Sequence, residues 1–174
     1  KAVAIYCMPS KKVDKSPHEN PFGNMKYAWQ DRSFGYVLLT WFIMGFANLW
    51  TLPLRVDYVT SAQWGIEGSA IFVAMIITVI PETMRMLLIP FWARLFDKMN
   101  FVVLRMILNL SFAAGILLFF ISSNPWIIGA GSALIGAAFA GGSIAWNLWV
   151  TKYAPPGKTG AYMSVHVSLT GIRG

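Results

Sequence analysis

The sequence is poor in cysteine and in charged side chains. Cys7 is the only cysteine among 174 residues, which excludes an intrachain disulfide and any metal site built on cysteines. Charged residues make up 12% of the chain, about half of the roughly 25% that is usual for soluble domains. Because hydrophobic residues make up 56%, we predict that lipid rather than water surrounds most of this chain.

The sequence also lacks the motifs of common enzyme classes. It contains no glycine-rich phosphate loop, no nucleophile elbow and no His-x-x-x-His pair. We therefore predict a protein that is not an enzyme and that needs neither a cofactor nor a metal ion.

Four apolar runs are long enough to cross a bilayer, which takes about 20 residues. We predict spans at about 34–54, 70–92, 101–122 and 126–150, followed by a truncated fifth helix at 161–174. Residues 1–33 are polar and interrupted by prolines, and we interpret them as a linker. The predicted fold class is all-α, a polytopic transmembrane helical bundle that occupies residues 34–174.

The segments that flank and connect these spans alternate between ones rich in lysine and arginine and ones with almost none. Six lie in the linker, three in a charged hinge at Ala93–Arg105 and two in the loop Thr151–Gly160, whereas the other side carries only Arg55. Because positively charged loops stay in the cytoplasm, we predict that the linker, the hinge and the loop Thr151–Gly160 are cytoplasmic. This distribution also accounts for the net charge of +7 without a nucleic-acid partner.

The hinge resembles a loop motif of the major facilitator superfamily of transporters. Members carry Gly-x-x-x-Asp-(Arg/Lys)-x-Gly-(Arg/Lys)-(Arg/Lys) between the second and third helices of each six-helix half. Here Ala93 stands at the first glycine, Asp97 at the acid, Lys98 at the base and Asn100 at the second glycine. The last two basic positions of the motif are apolar in this sequence.

The fourth span is similar to the tenth helix of many bacterial members. It is rich in small residues and ends near Asn147, ahead of a Pro-Pro-Gly loop. The arginine that many members carry in the fourth helix of the first half has no counterpart here. The resemblance therefore implies the carboxy-terminal half of a twelve-helix protein of a bacterial inner or plasma membrane. We expect the chain to be a fragment whose partner is the other half of the same transporter.

The resemblance implies a secondary active transporter that moves small solutes by alternating access, as a symporter or an antiporter. Coupling to protons or to another cation is one option, and the substrate and the direction of transport stay open. The alternative is a non-transporting membrane scaffold or receptor-like protein that retains the fold. A scaffold gains little from charges at mid-depth in the bilayer, so the charged residues of the second span separate the two interpretations.

Glu82 and Arg85 are the charged candidates of the second span, and they are predicted to be buried at mid-depth. Their spacing of three residues makes them neighbours on a helix. Pro81 precedes them, removes a backbone donor and frees the carbonyl of Ile77. Broken helices of this kind mark substrate or ion sites in transporters. A structural ion pair is an equally good interpretation, and proton coupling through Glu82 is a third.

Three further polar or aromatic residues are candidates for the pathway. Trp41 and Asn48 share one face of the first span, where either a solute pathway or ordinary packing would use them. Asn147 is the third candidate, and an interhelical hydrogen bond is its alternative role.

The resemblance implies a gating role for Asp97 and Lys98. The carboxylate of Asp97 would lie at a helix N-terminus in the other half and latch one state of the transporter. Arg105 joins this group as a candidate substitute for the missing basic positions. A solvated charged turn is the alternative interpretation.

Small residues recur at every fourth position of the fourth span. A stripe of this kind lets helices approach closely, so we predict a packing face formed by Gly129, Ala133, Ala137, Gly141 and Ala145. On the fifth helix, His166 is interpreted as a packing residue.

Overall fold

The computed structural model describes residues 23–64, 66 and 68–173, although not the side chain of Arg173. Residues 1–22 of the predicted linker lie outside this range. Every regular element within it is a helix, and four of the helices are long and apolar enough to cross a membrane. The predicted all-α membrane bundle is confirmed.

Seven helices follow one another in the described chain. They are α1 (Lys26–Gln30), α2 (Arg32–Thr60), α3 (Ala70–Lys98), α4 (Phe101–Phe120), α5 (Pro125–Leu148), α6 (Val150–Tyr153) and α7 (Thr159–Arg173). Short 3-10 turns occupy Gly23–Met25 and Ala62–Trp64. The membrane-length helices are α2, α3, α4 and α5.

Each of these four helices begins at a polar side chain that caps it. Asp31, Ser69, Asn100 and Asn124 accept a hydrogen bond from a backbone N–H in the first turn of the helix that follows. Such caps satisfy donors that a helix leaves free at its N-terminus. Short polar stretches between the apolar runs therefore set where the helices start.

Two helices extend further than the apolar runs. α2 continues past Leu54 to Thr60, because Arg55 and Asp57 interrupt the hydropathy pattern but do not break a helix. α3 continues to Lys98, so the non-helical part of the hinge is only Met99–Asn100. Arg105 consequently lies within α4 and not in a connecting loop.

Pro81 is accommodated by a π-helical turn at Met75–Val79. The N–H of Ile80 bonds to the carbonyl of Met75, five residues earlier, and in this register residue 81 faces the carbonyl of Ile76. Pro81 has no N–H to offer, and the hydroxyl of Ser132 on α5 donates to the Ile76 carbonyl instead. The carbonyl that receives an outside donor is that of Ile76, one residue before the Ile77 carbonyl expected from regular α-helical spacing.

α5 is the central helix and packs against both α3 and α4. A Cβ added at Gly136 would overlap the backbone of Pro81, and one added at Gly131 would overlap the backbone of Phe119 on α4. Of the predicted stripe, Gly141 makes a comparably close contact. The contact face of α5 differs from the predicted stripe of every fourth residue, because α5 packs against two helices that lie in different directions.

Buried side chains form two clusters, one toward each end of the bundle. The first includes Phe34, Trp149 and Tyr162 near the ends at which α2 begins and α5 ends. The second includes Tyr58, Phe119 and Ile128 near the opposite ends. Residues of both clusters line a cavity where the two meet.

Replacing Ser132 tests whether its hydroxyl supplies the hydrogen bond that the Ile76 carbonyl lacks at the π turn. We expect Ser132→Ala to lower the free energy of unfolding by about 1 kcal/mol, because the Ile76 carbonyl loses its buried donor. In a Pro81→Ala background, the restored N–H can serve this carbonyl, so the same substitution should cost clearly less. Equilibrium unfolding of the intact protein in mixed micelles would measure both costs, and equal costs in the two backgrounds would refute the pairing.

Candidate functional site

A cavity of about 410 Å³ lies between α2, α3, α4 and α5. This volume falls within the range of known small-molecule sites, roughly 300–1,000 Å³. Its wall is mostly apolar and aromatic, and the polar groups on it are few. Those that define its chemistry are Asn48, Arg55, Arg85, Arg105 and Ser143.

Arg105 is the most constrained polar residue of the cavity. Its side chain is buried, with 7% exposed, and its guanidinium carbon lies 3.5 Å from the centroid of the Trp41 ring. Within the described part of the chain, its Nε and Nη2 atoms have no hydrogen-bond partner. A cation–π contact is worth about 2 kcal/mol when desolvated, less than the several kcal/mol that burying an unpaired charge costs. The bundle therefore maintains an unsatisfied cation at the cavity wall.

Arg55 is a second buried cation on the same wall. It is 5% exposed and lies with its guanidinium 5.8 Å from the ring of Phe119. Among residues 23–64, 66 and 68–173 it has no ion-pair partner. Arg55 is fourteen residues beyond Trp41 on α2, or about 21 Å along the helix axis. The two buried arginines therefore lie at different depths.

Glu82 and Arg85 form an ion pair, with Arg85 Nη1 3.3 Å from Glu82 Oε1. Arg85 lines the cavity and Glu82 does not. The Arg85 side chain is 39% exposed and the Glu82 side chain is 55% exposed, so the pair does not pack inside this half-bundle. The reason is that α3 turns Pro81 toward α5, and the positions that follow it point away from that contact.

The remaining predicted site residues divide between the cavity and the helix ends. Trp41 and Asn48 line the cavity. Asn147 lies outside it, and its Nδ2 donates to the carbonyl of Ser143 on its own helix at 2.7 Å. Asp97 and Lys98 are exposed in the last turn of α3, where no other described residue bonds to them.

Arg55 and Trp146 are among the cavity residues that were not selected from the sequence. Arg55 was assigned to a connecting loop, yet it continues the heptad-like face of α2 that already contains Trp41 and Asn48. That spacing was the available signal. Trp146 on α5 packs edge-on against Trp41 with ring centroids 5.0 Å apart. Nothing local to α5 indicated this contact, because it depends on the rotation of two helices.

Aromatic side chains cluster at the end of the bundle where α2 begins. His166 on α7 is buried and contacts the rings of Trp146 and Trp149, with centroids at 4.2 Å and 5.4 Å. Tyr153 lies nearby, outside the spans. Burial, and to a smaller extent the charge of Asp31, raises the pKa of Tyr153 above its usual value. This phenol therefore stays neutral at physiological pH.

The geometry defines a multi-pass helical membrane protein with a cavity between its spans, whose mostly apolar wall carries a few polar groups. Residues 2–173 match the family model described as Major Facilitator Superfamily. The chain belongs to this superfamily of membrane transporters, as the hinge motif predicted. No curated protein and no solved structure matches it significantly.

Cysteine labelling tests whether water reaches the cavity. In an intact protein freed of native cysteines, we expect Asn48→Cys to react readily with the water-soluble anionic reagent MTSES, because Asn48 lines the cavity. Leu110→Cys is the control, since Leu110 is exposed on the face of α4 opposite the cavity. Equal labelling of the two positions would contradict an aqueous cavity.

Proposed function

We propose that this chain is the carboxy-terminal half of a secondary active transporter that moves a small solute by alternating access. The observation that carries the proposal is the cavity, whose wall holds two buried arginines without counter-charges among the described residues. Packing alone would not favour such charges, since each is costly inside a membrane protein. Membership of a transporter superfamily supports the same conclusion.

The other half of the transporter is the proposed partner. The cavity is lined from one half-bundle only, and large apolar side chains remain exposed along α2, among them Ile43, Trp50 and Leu54. Lipid would cover part of this surface, and the second half would cover the cavity side. Rocking of one half against the other would then open the cavity to each side in turn.

Glu82 is the proposed coupling residue. Its carboxylate pairs with Arg85, which lines the cavity, so a proton on Glu82 would break the pair and release Arg85 toward the solute. Proton binding at Glu82 would thereby change the positive charge that Arg85 presents to the solute.

Transport assays with the intact protein test the function and its coupling. We expect proteoliposomes to accumulate at least one solute of a labelled panel when a pH gradient is applied. Glu82→Gln should abolish the response to the gradient while solute exchange continues, because the carboxamide cannot take up a proton. Asp57→Asn, an exposed acid outside the cavity, serves as the control.

The outcomes of these assays decide between transporter and scaffold, and they test the role of Glu82 in coupling. Absence of uptake for every solute would favour the non-transporting scaffold. Uptake with an unchanged pH response in Glu82→Gln would remove Glu82 from the coupling mechanism.

Asp97 is proposed to latch one state of the transporter from the predicted cytoplasmic end of α3. Its carboxylate is exposed and available to a helix N-terminus in the other half. We expect Asp97→Ala to shift the inward/outward population and so change the rate at which Asn48→Cys is labelled from one side. An unchanged rate would refute the latch.

A further inference from the structure

The cavity wall has an unbalanced charge. Three arginines line it, whereas neither Asp nor Glu among the described residues does. Glu82 pairs with Arg85 from outside the lining, which leaves Arg55 and Arg105 uncompensated. Charges interact strongly in a medium of low dielectric constant, and a cleft lined by one sign of charge concentrates ions of the other sign. The cavity therefore favours an anion.

Arg105 presents the donors that an acidic group would use. The atoms without a partner are Nε and Nη2, which lie on one edge of the guanidinium. Two parallel hydrogen bonds from one guanidinium edge match the two oxygens of a carboxylate or a phosphate. The Trp41 ring lies against the face of the same group and restrains its plane. Both atoms are themselves buried in the described half-bundle, so this edge is unpaired but not open to water.

The surroundings of Arg105 are apolar. Trp41, Phe112, Phe139 and Trp146 contribute aromatic surface to the cavity, and Leu108 contributes aliphatic surface. A purely inorganic anion would leave this surface in contact with water. An organic anion would bury it, and apolar burial contributes about 25 cal/mol for each Å² removed from water. The amide of Asn48 offers one further polar contact.

We propose that the solute is an organic anion with an apolar body, whose acidic group binds Arg105 at the cavity wall. This inference rests on the proposed transport function, since it names the class of solute carried through the same cavity. The apolar body lies against the aromatic wall. Neutral and cationic analogues with the same body are excluded by the unpaired positive charge.

Binding to the intact protein tests the chemical class. The probe set is 4-phenylbutyrate, 4-phenylbutyramide and 4-phenylbutylamine, extended to other aryl and alkyl acids that are matched in the same way. Thermal stabilisation in phosphatidylcholine nanodiscs is the readout. We expect acids to stabilise the protein and their matched amides and amines to do so far less. Equal or stronger stabilisation by the amides or the amines would overturn the proposal.

Substitution of Arg105 locates the site. We expect Arg105→Gln to weaken binding of the acid by about 10- to 100-fold, the usual effect of losing a charged hydrogen-bond partner. Arg94→Gln is the matched control, since Arg94 is exposed and outside the cavity. Arg105→Lys keeps the charge and loses the two-donor edge, so it should bind the acid more weakly than the unsubstituted protein. Unchanged acid binding in both Arg105 variants would refute the site.

Two further experiments distinguish a soluble organic acid from a small anion and from a lipid headgroup. Inorganic phosphate or acetate that competes as well as the matched acid would refute the role of the apolar body. Nanodiscs with phosphatidylglycerol would abolish acid binding if Arg105 holds a lipid headgroup, and this result would overturn the solute assignment. Persistent acid binding in both lipids supports it.

Failure of this inference and failure of the transport proposal have different signatures. Acid binding at Arg105 without uptake of any acid would leave the anion site standing and remove the transport function. Uptake of a neutral or cationic solute, with no acid binding, would leave transport standing and remove the anion assignment.

Discussion

The close approach of α5 to α3 and α4 is the constraint on which the cavity depends. Gly131 and Gly136 let the backbones of these helices meet, and the position of α5 then fixes where its side chains point. In lipid the main driving force for such packing is van der Waals contact between the helices and not the hydrophobic effect. A larger side chain at either glycine would move the helices that carry Arg85, Arg105 and Trp146.

The break in α3 follows from the same packing. Backbone groups in a membrane must find partners within the protein, and Pro81 leaves one carbonyl without its usual donor. Ser132 reaches that carbonyl because it lies on α5, close to the glycine that touches Pro81. Pro81 faces α5, and the side chains of Glu82 and Arg85, which follow it on α3, stay partly exposed in the half-bundle.

Charge and aromatic surface are combined within one cavity. Arg105 is stacked on Trp41, and Trp41 in turn packs against Trp146, so a cation from α4 is held by rings from α2 and α5. Such an arrangement fixes the guanidinium plane while its donors stay unused.

Much of the fold was predictable from the sequence, since bilayer thickness requires long apolar runs and polar caps separate them. The shared face of Trp41 and Asn48 was also predictable, because helical spacing fixes it within one element. The ends of α2 and the register at Pro81 were not, because hydropathy does not report hydrogen bonding. The role of Arg105 depended on tertiary structure alone. Its sequence position suggested a loop charge, and only the tertiary arrangement of the helices brought its guanidinium onto Trp41 and to the cavity wall.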